Sequence, residues 1–270
     1  MTAIDFGGPA PVLMGIVNVT PDSFSDGGQF FDPQKAIAHG KKLVAEGAAI
    51  LDIGGESTRP GASPVSSAEE IARVVPVIEG LKGCGAMISI DTRHAATMRA
   101  AIAAGAGMVN DVTALTHDPE SLSVVAESGV YVCLMHMKGE PQTMQDVPIY
   151  GDVVAEVSAY LRDRVAACAA AGVNRKQMVV DPGIGFGKTL DHNINLLKNL
   201  DKIADPGIPV LLGASRKRFI ESLCPGTGAQ DRLPGSLATV LAGWQQGVRA
   251  FRVHDVAETA QALAVFRALI

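Results

Sequence analysis

Eight short aliphatic runs in this 270-residue chain each end on polar or charged residues, and the types divide into two chemistries. The residues are Asn18, Asp52, Asp91, Asn110, His136, Asp181, Ser215 with Lys217, and Arg252 with His254. Asp91, Asn110 and Asp181 offer carboxylates and an amide. Carboxylate oxygens accept paired N–H bonds well, so this set suits a flat heterocycle carrying several donors. Lys217, Arg252, His254 and Arg59 offer cationic or donor groups that suit an anion such as a phosphate. The site they imply is amphoteric, with a donor-rich ring on one side and a polyanion on the other. Helix capping explains any one of these residues, but not a whole ring of them.

The longest polar loop, Asn18–Gly28, reads N-V-T-P-D-S-F-S-D-G-G and follows the buried-strand pattern Val12–Val17. A strand that opens into such a loop is where α/β proteins place their chemistry. Two other motifs fail. Gly187-Lys188-Thr189 resembles the end of a phosphate-binding P-loop, but Pro182 stands where the first glycine is needed. Gly183-x-Gly185-x-Gly187 has the wrong spacing for a dinucleotide fingerprint. The segment reads instead as a loop whose backbone approaches a ligand closely. His136, in M-H-M, is readable as an ordinary buried imidazole. No Cys/His metal cluster, Ser-His-Asp spacing or nucleophile elbow is visible, which disfavours covalent catalysis.

The elements that must hold these residues follow one repeated pattern: an Ala-rich helix tail, a glycine, then an aliphatic run. Glycine closes a helix in the left-handed conformation without steric penalty, so each junction reads as a helix stop before a strand. Strands are expected at 12–17, 49–53, 86–90, 107–110, 130–134, 178–181, 209–212 and 249–253. Helices are expected at 34–46, 67–80, 94–104, 152–171, 233–246 and 255–268. Eight β/α units in about 250 residues match a closed (β/α)₈ TIM barrel. With no composition break, residues 1–270 read as a single domain. A doubly wound sheet is the alternative, but its usual glycine fingerprint is missing after the first strand.

The composition fits: 47% hydrophobic, only 4% aromatic and 29 glycines suit β/α units better than a β-sandwich. A net charge of −5 gives no reason to expect nucleic acid or an anionic membrane as partner. No run is long enough to span a bilayer and no signal peptide is apparent. Cys84, Cys133, Cys168 and Cys224 are widely spaced and read as reduced thiols of a cytoplasmic protein.

Taken in order, these segments resemble the dihydropteroate synthase family over the whole chain. The matching motifs are the first loop, D-I-G-G-E-S-T-R-P-G at 52–61, I-D-T at 90–92 and N-D at 110–111. They continue with C-L-M-H-M at 133–137, D-P-G-I-G-F-G-K at 181–188, S-R-K at 215–217 and R-V-H-D at 252–255. The resemblance implies a (β/α)₈ barrel that joins p-aminobenzoate to 6-hydroxymethyl-7,8-dihydropterin diphosphate, giving 7,8-dihydropteroate and diphosphate. It also implies Mg²⁺, a homodimer and inhibition by sulfonamides, which mimic p-aminobenzoate.

By the same resemblance Asp91, Asn110 and Asp181 hold the pterin, Met135 and Val112 pack on its faces, and Lys217 reaches its acceptor edge. Asn18 sits near the Mg²⁺–diphosphate, whose oxygens are bound by Arg252, His254 and Thr58, with Ser215 in the substrate-binding set. Phe24, Pro60 and Phe186 wall the p-aminobenzoate pocket, while Asp26 and Arg59 order the first two loops. Asp26, Arg59, Lys217 and Arg252 are the implied catalytic set. Arg218 departs from members that carry serine there, so a backbone N–H at the start of the next helix is expected to serve instead. The implied chemistry is dissociative substitution, needing little general base. A pterin-dependent methyltransferase has no use for the anion set, and a catalytically silent homologue has none for the first-loop motif.

Overall fold

The computed structural model describes residues 4–20, 32–57, 65–139, 143–144, 148–203 and 207–270. Its first half alternates β1 (Val12–Asn18), α1 (Pro33–Ala45), β2 (Ile50–Gly54), α2 (Ser67–Leu81), β3 (Met87–Asp91), α3 (Ala95–Ala104), β4 (Met108–Asp111) and α4 (Ser121–Ser128). The second half continues β5 (Tyr131–Met135), α5 (Val153–Ala170), β6 (Met178–Asp181), α6 (Leu190–Leu197) and β7 (Leu211–Leu212). It ends with α7 (Arg218–Leu223), α8 (Leu233–Gln245), β8 (Ala250–Val253) and α9 (Val256–Leu269). Local chemistry sets several helix starts. Asp32 accepts the Gln34 N–H with Pro33 in the first turn, and Asp152 accepts from Val154 and Ala155.

All strand pairs are parallel and run in the order β6-β5-β4-β3-β2-β1-β8-β7. A parallel bridge between Val180 and Val210 joins the two ends, so the sheet closes into a (β/α)₈ barrel. Closure disposes of the doubly wound alternative. Among the described residues no helix is long and apolar enough to cross a membrane. The four cysteines are unpaired.

Strand periodicity builds two cores. One face of the ladder puts Met14, Ile50, Met108, Cys133, Val179, Leu211 and Ala250 inside the barrel, with Phe6 packed among them. The alternate face puts Leu51, Ile53, Ile88, Ile90, Val132, Leu134, Val180 and Phe251 against the helices. Each such side chain contributes about 1.5–3 kcal/mol by leaving water. The inner set does not continue to the C-terminal end of the strands. There Asp52, Asn110, Asp181 and Arg252 take the next inward positions on four of the strands.

Five strands begin one residue later than the aliphatic runs imply, and β1, β3 and β4 run one residue further, through Asn18, Asp91 and Asp111. The ladder explains the shift. Asn18 pairs with Gly54, Gly54 with Asp91, and Asp91 with Asn110, so these polar residues are strand members and not loop. Expected strand 209–212 shrinks to Leu211–Leu212 because Pro209 has no N–H to donate, leaving Val210 as an isolated bridge.

Candidate active site

Counting two residues onward from the inner core reaches the site. Ile50 leads to Asp52, Met108 to Asn110, Cys133 to Met135, Val179 to Asp181 and Ala250 to Arg252. The N-D pair at 110–111 divides by the same rule. Asn110 faces inward, where its Nδ2 donates to Asp52 Oδ2 at 2.9 Å. Asp111 faces outward and accepts from the Thr113 N–H and hydroxyl, both at 2.7 Å, and from the Leu115 N–H at 3.0 Å.

Arg252 spans the barrel mouth. Its Nε donates to Asp52 Oδ2 at 2.6 Å and its Nη2 to Asp91 Oδ2 at 2.8 Å. Burial opposes the charge on this guanidinium, yet Asp52 and Asp91 hold it firmly protonated. Asp91 is pushed up to about 7 by burial, against the pull of Arg252 and with the help of the Asp52, Glu70 and Asp111 carboxylates. Asp52 is wholly buried, and its Oδ1 has no partner among the described residues. An acceptor left in that state is suited to a ligand's N–H.

Asp181 lies at the end of β6, its Oδ1 accepting the Gly183 N–H at 2.7 Å. Burial raises its carboxyl, against Lys217 and that N–H. Gly213 makes room for it: a Cβ there meets Asp181 Oδ2 at 3.1 Å and the Arg252 side chain at 3.8 Å. Lys217 donates to the Ile184 carbonyl, and its ammonium stands 4.7 Å from the centre of the Phe186 ring. Burial lowers Lys217 to about 8, with Asp181 opposing. Ser215 and His254 pair directly, Oγ to Nδ1 at 3.0 Å, and the His254 N–H donates to the same Oγ at 3.2 Å.

The structure therefore gathers Asp91, Asn110, Asp181, Lys217, Arg252, Ser215 and His254 at one end of the barrel. Met135 and Val112 lie buried at the same strand ends, Phe186 is half-buried, and Asn18 is half-buried at the end of β1. Phe24, Asp26, Thr58, Arg59 and Pro60 lie outside the described residues. His136 turns to Lys188 and packs edge-on against Tyr160, a buried imidazole apart from this cluster. Arg218 is exposed at the start of α7.

Sequence reasoning placed Asp52 at a strand end without giving it a role, although it is the shared acceptor for Asn110 and Arg252. The signal was parity: Asp52 stands two residues after inward Ile50. It also passed over Glu56, which ties the second loop's base to β3. The Glu56 carboxylate accepts the Val65 N–H at 3.3 Å and pairs with Arg93 at 3.3 Å. Arg73 fixes the adjoining Gly55 carbonyl at 2.7 Å.

The family model described as pterin binding enzyme matches residues 14–254. A dihydropteroate synthase of Neisseria meningitidis serogroup B is 48% identical over 270 residues, covering 98% of this chain and 95% of the relative. The chain belongs to the dihydropteroate synthase family. Among solved structures, the Xanthomonas albilineans dihydropteroate synthase with 4-aminobenzoic acid is 49% identical with a TM-score of 0.90. That likeness covers 97% of this chain and 93% of the other. The Yersinia pestis dihydropteroate synthase with a sulfonamide drug complex is 41% identical with a TM-score of 0.92, covering 100% and 98%. A dihydropteroate synthase barrel thus carries both the buried acids and the cations around them.

Proposed function

We propose that this chain condenses 6-hydroxymethyl-7,8-dihydropterin diphosphate with p-aminobenzoate, releasing diphosphate and forming 7,8-dihydropteroate. The observation that carries the reading is the buried Asp52, Asn110 and Asp181 with the half-buried Asp91, beside Arg252 and Lys217. Acceptors of this kind match the ring N–H and amino donors of a pterin. The cations match the acceptor edge of that ring and the diphosphate beyond it. The X. albilineans relative holds 4-aminobenzoic acid and the Y. pestis relative a sulfonamide drug, which supports the second substrate.

In this reading Asp91, Asn110 and Asp181 grip the pterin, with Asp52 Oδ1 a spare acceptor beside them. Met135 and Val112 cover its faces, and Lys217 donates to its acceptor edge. Arg252, His254, Ser215 and Thr58 bind the diphosphate. Phe24, Pro60 and Phe186 wall the p-aminobenzoate pocket, and Asp26 and Arg59 order the first two loops. Stabilising the leaving diphosphate lowers the barrier to breaking the exocyclic C–O bond. The methylene cation left behind is stabilised by the electron-rich ring and a carboxylate such as Asp26. The aromatic amine then needs positioning more than activation.

Among the described residues no group of three or more His, Cys, Asp or Glu is disposed to hold a metal. The donor set nevertheless fits Mg²⁺, which keeps several waters and takes few protein oxygens beside substrate phosphates. The Asn18 amide oxygen at the end of β1 is such a donor. When bound, Mg²⁺ neutralises charge on the leaving group. The reading also carries a homodimer, as the family resemblance implies, acting in the cytoplasm, as the widely spaced cysteines imply.

The deciding experiment supplies purified protein with pterin diphosphate, p-aminobenzoate and Mg²⁺ and looks for dihydropteroate. Pterin binding without product identifies a silent homologue.

A further inference from the structure

The lysine of D-P-G-I-G-F-G-K stands outside the cluster described above, yet only 3% of it is exposed. A buried ammonium is expensive unless each N–H finds an acceptor. Lys188 Nζ lies 2.9 Å from the Phe186 carbonyl, 3.3 Å from the His136 carbonyl and 2.9 Å from His136 Nδ1. These three partners match the three donors of an ammonium and carry no charge to balance it. Burial accordingly pushes Lys188 well below the usual lysine range, with Lys217 adding to the effect. Burial and the neighbouring lysine push His136 down to about 3, so the ring is neutral.

The partners belong to two different loops. His136 follows Met135 at the end of β5, and Phe186 lies in the loop after β6. The two backbones are pressed together. Gly183 and Gly187 have φ of 67° and 61°, and a Cβ on them lies 1.9 Å from the His136 carbonyl oxygen and 2.2 Å from that of Lys138. Only glycine permits that approach. From outside, the Tyr150 hydroxyl donates to the Gly187 carbonyl at 2.9 Å. The inner edge of the same loop presents the Ile184 carbonyl that receives Lys217, the Phe186 ring beneath that ammonium, and the N–H bonded to Asp181.

We propose that Lys188 is a positioning residue, bolting the loop after β6 to the turn after β5 through the Phe186 carbonyl and so setting the Phe186 ring for the second substrate. The inference rests on the reading of the site as a dihydropteroate synthase.

Three variants test it. Lys188→Met keeps the chain length and removes every donor, Lys188→Gln keeps N–H donors without charge, and Tyr150→Phe removes only the outer tie. In Lys188→Met the KM for p-aminobenzoate rises about tenfold or more, while that for the pterin stays within about threefold. Lys188→Gln recovers most of the loss, and Tyr150→Phe moves the ratio of the two constants the same way by about twofold. An unchanged ratio in Lys188→Met overturns the proposal. So does a parallel loss for both substrates with no recovery in Lys188→Gln. Should Lys188→Met not fold, an unchanged ratio in both Lys188→Gln and Tyr150→Phe overturns it equally.

Amide hydrogen exchange over residues 183–189 needs no turnover. It speeds up in Lys188→Met, or modestly in Lys188→Gln where the methionine variant is lost. Wild-type protection in both refutes the bolt. A wild-type protein that makes no dihydropteroate sinks the functional reading, while the exchange measurement still decides on Lys188.

Discussion

Arg252 Nη2 lies 2.8 Å from Asp91 Oδ2, while its Nε reaches Asp52 at 2.6 Å, so one guanidinium joins acids from neighbouring strands across the barrel mouth. Arg252→Ala leaves two buried carboxylates without their cation, which costs about 3–5 kcal/mol when a buried pair is broken. The loss depends on pH, with a definite sign. Asp91 already titrates at about 7, above its unfolded value, and Arg252 is the group pulling it down. Without Arg252 it rises further. Its favourable contribution is complete below the unfolded carboxylate range and disappears as pH rises through the folded value. The variant therefore loses more stability, relative to wild type, near pH 8 than near pH 5.5. Thermal melts at the two pH values check this, and equal losses rule out Arg252 as the compensating charge. Turnover falls by orders of magnitude.

Asp91→Ala and Asp181→Ala remove acceptors from the ends of β3 and β6, and pterin affinity should fall sharply in both. Each charged hydrogen bond removed is worth about 1.5–3 kcal/mol, or roughly tenfold to a hundredfold in affinity. Asp181→Ala is the cleaner variant, because Asp181 is not among the partners of Arg252's two short bonds. Calorimetric titration with the pterin substrate reads the effect. Retained affinity in both variants overturns the pterin assignment.

The rate profile should carry the two titrations that face the ligand. An ionised Asp91 is the acceptor the pterin needs, so kcat/KM rises with pH through about 7. A protonated Lys217 is the donor, so kcat/KM falls again above about 8. Lys217→Arg retains a cation whose charge does not titrate there. It should work more slowly and lose the alkaline limb. An alkaline limb that persists in the arginine variant assigns that titration to another group.

Much of this architecture is written in the sequence at short range. The glycine before each aliphatic run marks a helix end, and the polar residue after it marks the barrel's open face, which brought Asp91, Asn110, Asp181 and Arg252 to one place. What sequence spacing does not carry is which neighbour a buried polar group chooses across strands. Asp52 and Arg252 stand 200 residues apart and Lys188 and His136 stand 52 apart, and only the order of strands around the barrel sets each pair side by side. Strand limits slipped for a related reason: Asn18, Gly54 and Asp91 look like loop by composition, but the ladder of neighbouring strands keeps them extended.

Glu70 offers a test of the electrostatics from outside the ligand shell. It projects from α2 and is fully buried, its Oε2 accepting from Thr92 at 2.9 Å and Thr97 at 2.6 Å, while Oε1 has no partner among the described residues. Burial raises its carboxyl against those two hydroxyls, and its charge is one of the groups that raise Asp91. Glu70→Gln removes that charge and keeps the shape, and both threonine hydroxyls can rotate to serve the amide. Asp91 then titrates lower, so the acid limb of kcat/KM moves toward lower pH while the alkaline limb stays. The stability effect has the matching sign. Glu70 is raised above its unfolded value, so wild type loses this contribution as pH rises through the folded titration, and the glutamine variant does not. Melts across the pH range should therefore converge at low pH and separate in favour of the variant at high pH. An acid limb that stays in place, or moves upward, rules out Glu70 as a contributor to the Asp91 titration.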